Sequence, residues 1–166
     1  MSERRRKALI DAGVRVADEP VHDQDRTWSR HGSDKPDVGR AFADAARHVH
    51  RAAAPGAALR GLSIGSSAEP QLRLMHALCA GGTTLLDIAP EGLAAVEERV
   101  ARQFLDGVSA VRGDYTEAFA SPAAARAFRA VHLGGRRAHL VALHHSLYYC
   151  PFAAWQPLFR VLHGEI

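Results

Sequence analysis

Apolar positions recur in two registers along the chain, and the change from one to the other divides it. Residues 1–57 are mostly polar, with turn signals at Glu19-Pro20, His31-Gly32-Ser33 and Lys35-Pro36. Within them Val38, Phe42, Ala45 or Ala46 and Val49 recur every three or four positions, which predicts one amphipathic helix from Asp37, ended by Pro55-Gly56. From residue 59 short apolar runs alternate with helical periods. Strands are predicted at 59–64, 83–88, 108–111 and 139–143. Between them lie a helix opening near Pro70 with Leu72, Met75, Leu78 and Cys79 on one side, and a helix opening at Pro90 with Leu93, Val96, Val100 and Phe104. A third helix opens at Ser121-Pro122 and carries Phe128 and Val131; a last one covers 152–162, interrupted or restarted at Pro157. Proline suits a first helical turn because the N–H it lacks would be unpaired there.

Strands alternating with helices predict a parallel sheet with helices on both faces, a Rossmann-like α/β fold of about four strands preceded by an N-terminal helical segment. The division reads as a helical and loop extension over 1–57 and a sheet domain over 58–166. Ligands in such sheets bind beyond the carboxyl ends of the strands, so the residues that follow each strand carry the functional argument.

Composition narrows the class. The chain has 166 residues, 47% hydrophobic and 23% charged, which fits a globular protein with one main core. No apolar stretch approaches the roughly 20 residues of a spanning helix. The basic start Arg4-Arg5-Arg6-Lys7 leads into too short an apolar run for a signal peptide. Cys79 and Cys150 cannot form a disulfide framework, and a reducing cytoplasm is the default expectation. The net charge of +3 is spread along the chain with acids interspersed, which argues against a nucleic-acid partner. The histidines form no ligand constellation and no metal is expected; His48 and His50, two apart on a predicted helix, do not share a face.

Three strand ends carry the candidate chemistry. After the first strand, Gly65-Ser66-Ser67 lets a ligand approach the backbone, and a helix N-terminus follows. The second strand ends in Asp87-Ile88, an acid placed to accept bonds from ribose hydroxyls about 20 residues beyond the small-residue turn. The third leads to Gly113-Asp114-Tyr115, where a carboxylate suits an exocyclic amine and an aromatic ring covers a base.

On these residues the chain resembles the class I S-adenosylmethionine-dependent methyltransferases. "LSIGSS" stands where that family has its glycine-rich motif, "LLDIAPEGL" is similar to its second-strand motif, "VRGDYTEAF" to its third-strand segment and "AHLVALHHSLYYCP" to its fourth. The resemblance implies methyl transfer from S-adenosylmethionine to an unidentified acceptor. It implies that Gly65, Ser66 and Ser67 lie along the methionine part of the cofactor and that Asp87 binds the ribose. Ile88 would pack on the adenine, Asp114 would accept from its amino group beside Tyr115, and His144 would line the cleft. The chain departs from the family at Ser63, where the motif carries an acid, and at Ser67 and Glu69, where it carries glycines.

Each assignment has an ordinary competitor. Asp87 also reads as a strand-end acid capping the next helix through Ala89 or Pro90, and Asp114 as a turn former. His145, the one weak candidate for a general base, also reads as a histidine hydrogen-bonded at a strand end. Of Tyr148 and Tyr149, an acceptor-pocket role competes with ordinary packing. The polar stretch 28–35 reads equally as a lid over the cleft or as a connecting loop. Two other functions share the fold: a binding or pairing module without turnover, and a nucleotide-dependent oxidoreductase, for which Gly65-x-Ser67-x-x-Pro70 keeps one of three fingerprint glycines. The family has seven strands where four are predicted here. The fourth is therefore expected as an open edge, either in a truncated, marginally stable product or in a chain completed by a homo-oligomer or a complementing partner.

Overall fold

The computed structural model describes residues 35–52, 55–65, 71–143, 146–147 and 150–166. Within them, in chain order, are α1 (Lys35–Ala52), β1 (Gly61–Ile64), α2 (Gln71–Leu78), β2 (Thr83–Asp87), α3 (Pro90–Gln103), β3 (Val108–Arg112), α4 (Tyr115–Ala118), α5 (Pro122–His132), β4 (Leu140–Ala142) and α6 (Phe152–Glu165). The four strands form one all-parallel sheet in the order β3-β2-β1-β4. This is an incomplete Rossmann-like α/β fold, with helices on both faces.

Strand burial follows from that order. All four residues of β1 are buried, because β1 is covered on both faces and paired on both sides. Leu62, Ile64 and Leu86 point to one face, where they pack with Tyr115, Phe119, Ala125, Phe128, Leu158 and Leu162 of the later helices. The opposite face holds a cluster of Ala46, Leu59, Met75, Cys79, Leu140 and Ala142, and a smaller one around Leu85 and Val96. Helices α1 to α3 thus cover one face and α4 to α6 the other. Each fully buried leucine or isoleucine contributes roughly 1.5–3 kcal/mol relative to exposure. At Gly61 side chains of α2 and of the residue that follows it reach the strand: an added Cβ would lie 2.3 Å from Met75 Cε and 2.8 Å from Cys79 Sγ.

Two apolar positions depart from the expected pattern. The period over α3 included Phe104, but the helix ends at Gln103 and Phe104 forms its left-handed cap at φ 52°. Its N–H donates to Ala101 O, Leu105 N–H to Val100 O, and Leu105 packs in the core instead. Phe104 is 89% exposed. Val131 of α5 is also exposed; the helix buries Ala125 and Phe128. Pro157 lies inside α6 without ending it.

The C-terminal residues are tied to the entry of β4. Ile166 is buried and its carbonyl accepts the Ala138 N–H at 2.6 Å, while Arg137 Nη2 donates to His163 O at 2.6 Å. Arg126 pairs with Glu165 at 2.8 Å and so joins α5 to α6. Among the described residues no helix is long and apolar enough to cross a membrane.

Candidate functional site

The sheet register brings three of the strand ends to one edge. Ile64 stands opposite Leu86, and Asp87 opposite Arg112, so Gly65, Asp87-Ile88 and Gly113-Asp114 follow one another across adjacent strands. Two backbone bonds stitch these turns together: Gly65 N–H to Leu86 O at 2.8 Å and Gly113 N–H to Asp87 O at 2.9 Å.

Asp87 is half-buried at the end of β2, and its Oδ1 accepts the Ala89 N–H at 2.9 Å. That bond shapes the turn into α3, an aspartate bonding its own backbone two residues on. Burial pushes the Asp87 carboxyl above its ordinary value, partly offset by the backbone N–H groups of Ala89 and Ile88. The next side chain, Ile88, is 62% exposed, an aliphatic surface beside the acid.

Asp114 caps α4. Its Oδ1 accepts the Thr116 N–H and the Thr116 hydroxyl, each at 2.7 Å. Tyr115 is a member of the core and not a surface ring; its hydroxyl donates to the Ser146 carbonyl at 2.9 Å. Burial, followed by the nearby Cys150 and Asp114, pushes the Tyr115 hydroxyl up to about 12, so it keeps the proton it donates.

The sequence reading did not single out Ser146. It follows β4, is 2% exposed, and its Oγ has no hydrogen-bond partner among the described residues. It lies directly over the turn after β1: a Cβ added to Gly65 would stand 2.4 Å from Ser146 Cβ. Gly65 itself has φ +67°, a conformation that strains any residue with a side chain. The glycine is therefore required twice, by its backbone angle and by Ser146. An unpaired buried hydroxyl costs ~1–3 kcal/mol, whereas the Tyr115 bond contributes about 1 kcal/mol. The contact over Gly65 is thus held and opposed by terms of similar size. No local pattern announces it, because Gly65 and Ser146 meet only through the β1–β4 pairing.

Ser66, Ser67, Glu69, Pro70, His144, His145, Tyr148, Tyr149 and residues 28–34 of the lid-or-loop stretch lie outside the described residues. Among the described residues no group of three His, Cys, Asp or Glu side chains is arranged to hold a metal ion. Both cysteines are buried and unbridged, and burial pushes the Cys79 thiol up to about 11, which makes it a poor nucleophile. An open groove of about 790 Å³ runs along α6, lined by Phe152, Trp155, Phe159, Arg160 and His163 among others. It includes none of Gly65, Asp87, Ile88 or Asp114.

No protein-family model matches the chain, and no curated protein matches it.

Proposed function

We propose that the carboxyl edge of β1 to β3 binds S-adenosylmethionine and that the chain is a methyltransferase-like domain. The observation that carries this reading is the exposed Ile88 directly after the strand-end carboxylate Asp87, on the same sheet edge where Asp114 follows the neighbouring β3, in a sheet of order β3-β2-β1-β4. An adenosine needs those elements: a carboxylate for the ribose, an aliphatic face for the base and an acceptor for its amine. The residues fit the adenosine half of the cofactor, while Ser146 covers the turn at Gly65 that the methionine half would follow.

Asp87 accepts the ribose hydroxyls while Oδ1 keeps its bond to Ala89; Ile88 packs on the base and excludes water from one of its faces. Asp114, fixed by Thr116, presents its carboxylate toward the amine. When bound, the cofactor supplies an electrophilic methyl group whose transfer depends on alignment more than on acid–base residues. The acceptor is a nucleophilic N, O or C atom.

Calorimetry of the full chain with S-adenosylhomocysteine tests the proposal. Binding is expected, weakened about tenfold or more in Asp87→Ala through loss of charge-assisted bonds. Absence of binding up to millimolar ligand in a folded sample overturns it. Binding of a nicotinamide dinucleotide instead favours the oxidoreductase reading.

A pairing module is the second reading. It is favoured by β4, which like β3 pairs on one side only among the described residues, and by the exposed flank of α6, where Phe152 is 81% and Phe159 42% exposed. On that reading a second copy or a complementing chain covers the edge and the flank.

A further inference from the structure

Positive charge is not shared evenly along the chain. Between Glu117 and Glu165 no acidic residue occurs, while Arg126, Arg129, Arg136, Arg137 and Arg160 do. The fold gathers arginines around the C-terminal half of α6. Arg137 Nη2 donates to His163 O at 2.6 Å, Arg129 Nη1 donates to Glu165 O, and Arg60 reaches the Arg137 carbonyl through Nε and Nη2 at 3.0 and 2.9 Å. A carbonyl partner leaves a guanidinium its charge; among the described residues of this group only Arg126 meets an acid, Glu165. Arg136 and Arg160 are exposed, with no side-chain hydrogen bond or ion pair among the described residues. The expectation against a nucleic-acid partner came from the mean spread of charge, which hides this patch.

The patch continues into the open groove on α6. Phe152, Trp155, Phe159, Arg160 and His163 follow one another there at the spacing of one helical turn, so its first half is aromatic and its second half cationic. Trp155 is fixed by the bond from its Nε1–H to Cys150 O at 2.9 Å and forms an edge-to-face pair with Phe152, ring centres 5.2 Å apart. Phe152 and Phe159 are exposed. Such rings give unstacked bases a surface to lie on, and guanidinium groups meet phosphates. A duplex hides its bases, and an acidic peptide brings charge with no base to stack. We propose that the α6 groove and the arginine patch bind single-stranded nucleic acid, with bases on Phe152, Trp155 and Phe159 and phosphates on Arg136, Arg137 and Arg160. The inference is independent of the cofactor reading, since the groove includes none of the strand-end residues. A strand and a second copy of the chain would compete for this flank.

Fluorescence anisotropy of the full chain with labelled oligouridylate and oligothymidylate of about 12 nucleotides tests the proposal. Binding of at least one is expected, and it should weaken steeply as salt rises. Arg136→Gln with Arg160→Gln should weaken binding and flatten the slope of log affinity against log salt by about 1.4, as two lost phosphate contacts imply. Phe152→Ala with Phe159→Ala should weaken binding about tenfold or more and leave that slope unchanged. Thermal melting by circular dichroism confirms that each double variant is folded. No binding of either oligonucleotide at low salt overturns the proposal. Binding that the phenylalanine variant leaves unchanged also overturns it, because the patch would then be a general anion surface. Tighter binding of a labelled polyglutamate of the same length overturns it in favour of an acidic protein partner.

Discussion

Asp87 has opposite value to the fold and to the proposed ligand. Burial raises its carboxyl, so the native chain holds that proton more tightly than the unfolded chain does. Stability from this group is complete below both values and falls as pH rises from the unfolded value through the raised folded one, so at neutral pH the ionised form is a cost. Asp87→Asn keeps an oxygen for the Ala89 N–H and removes the buried charge. Calorimetric melting should show a higher midpoint than the parent at pH 7 and a difference that shrinks as the solution is acidified. The same variant should bind S-adenosylhomocysteine about tenfold more weakly, since the amide replaces a carboxylate at the ribose. A variant lower in both melting point and affinity would mark Asp87 as a mainly structural cap. Phe104 offers a simpler case. It holds a left-handed cap with its ring in solvent, where glycine pays no steric penalty. Phe104→Gly should raise stability by about 1 kcal/mol in urea unfolding.

At the scale of elements, local chemistry explains where the helices begin. Ser121 Oγ accepts the Ala124 N–H at 3.2 Å ahead of Pro122, and Ser121→Ala should cost about 1 kcal/mol. Gly61→Ala should cost more, roughly 1–3 kcal/mol, because the new methyl displaces both Met75 and Cys79 and lifts α2 from the sheet. Urea midpoints of the two variants check the order. These are the features the sequence made legible: proline and serine at helix starts, apolar runs at buried parallel strands, and acids at strand ends. Periodicity counts a helix position without knowing where the helix stops, which is why the apolar series of α3 runs on to Phe104 and passes over Leu105, the residue that packs against Leu85 and Val96. The Asp114-capped turn of α4 also escaped, because four residues carry no period. Asp87 and Asp114 were legible as strand-end acids. The Ser146 contact was not, since it depends on β4 lying beside β1 and not on any spacing along the chain.

The whole molecule poses the question of its outer edge. Among the described residues β4 has one strand neighbour, and beside it α6 packs on α5 through Arg126 and Glu165 while leaving Phe152 and Phe159 in solvent. Open strand edges and contiguous apolar flanks are the two surfaces that soluble domains avoid exposing together. A two-fold axis perpendicular to the sheet would set two β4 strands antiparallel and bring the two α6 flanks together on one face. Such an isologous contact buries both surfaces with one operation. If copies pair in this way, the melting temperature rises with protein concentration, because the folded state gains from mass action and the unfolded state does not. Phe152→Glu with Phe159→Glu places charges on the flank without touching Leu158 or Leu162, which hold α6 to the sheet. Sedimentation equilibrium should then report a monomer, and the concentration dependence of melting should vanish. A parent chain that sediments as a monomer at every concentration, with a melting point independent of it, would instead show that β4 and α6 stand alone.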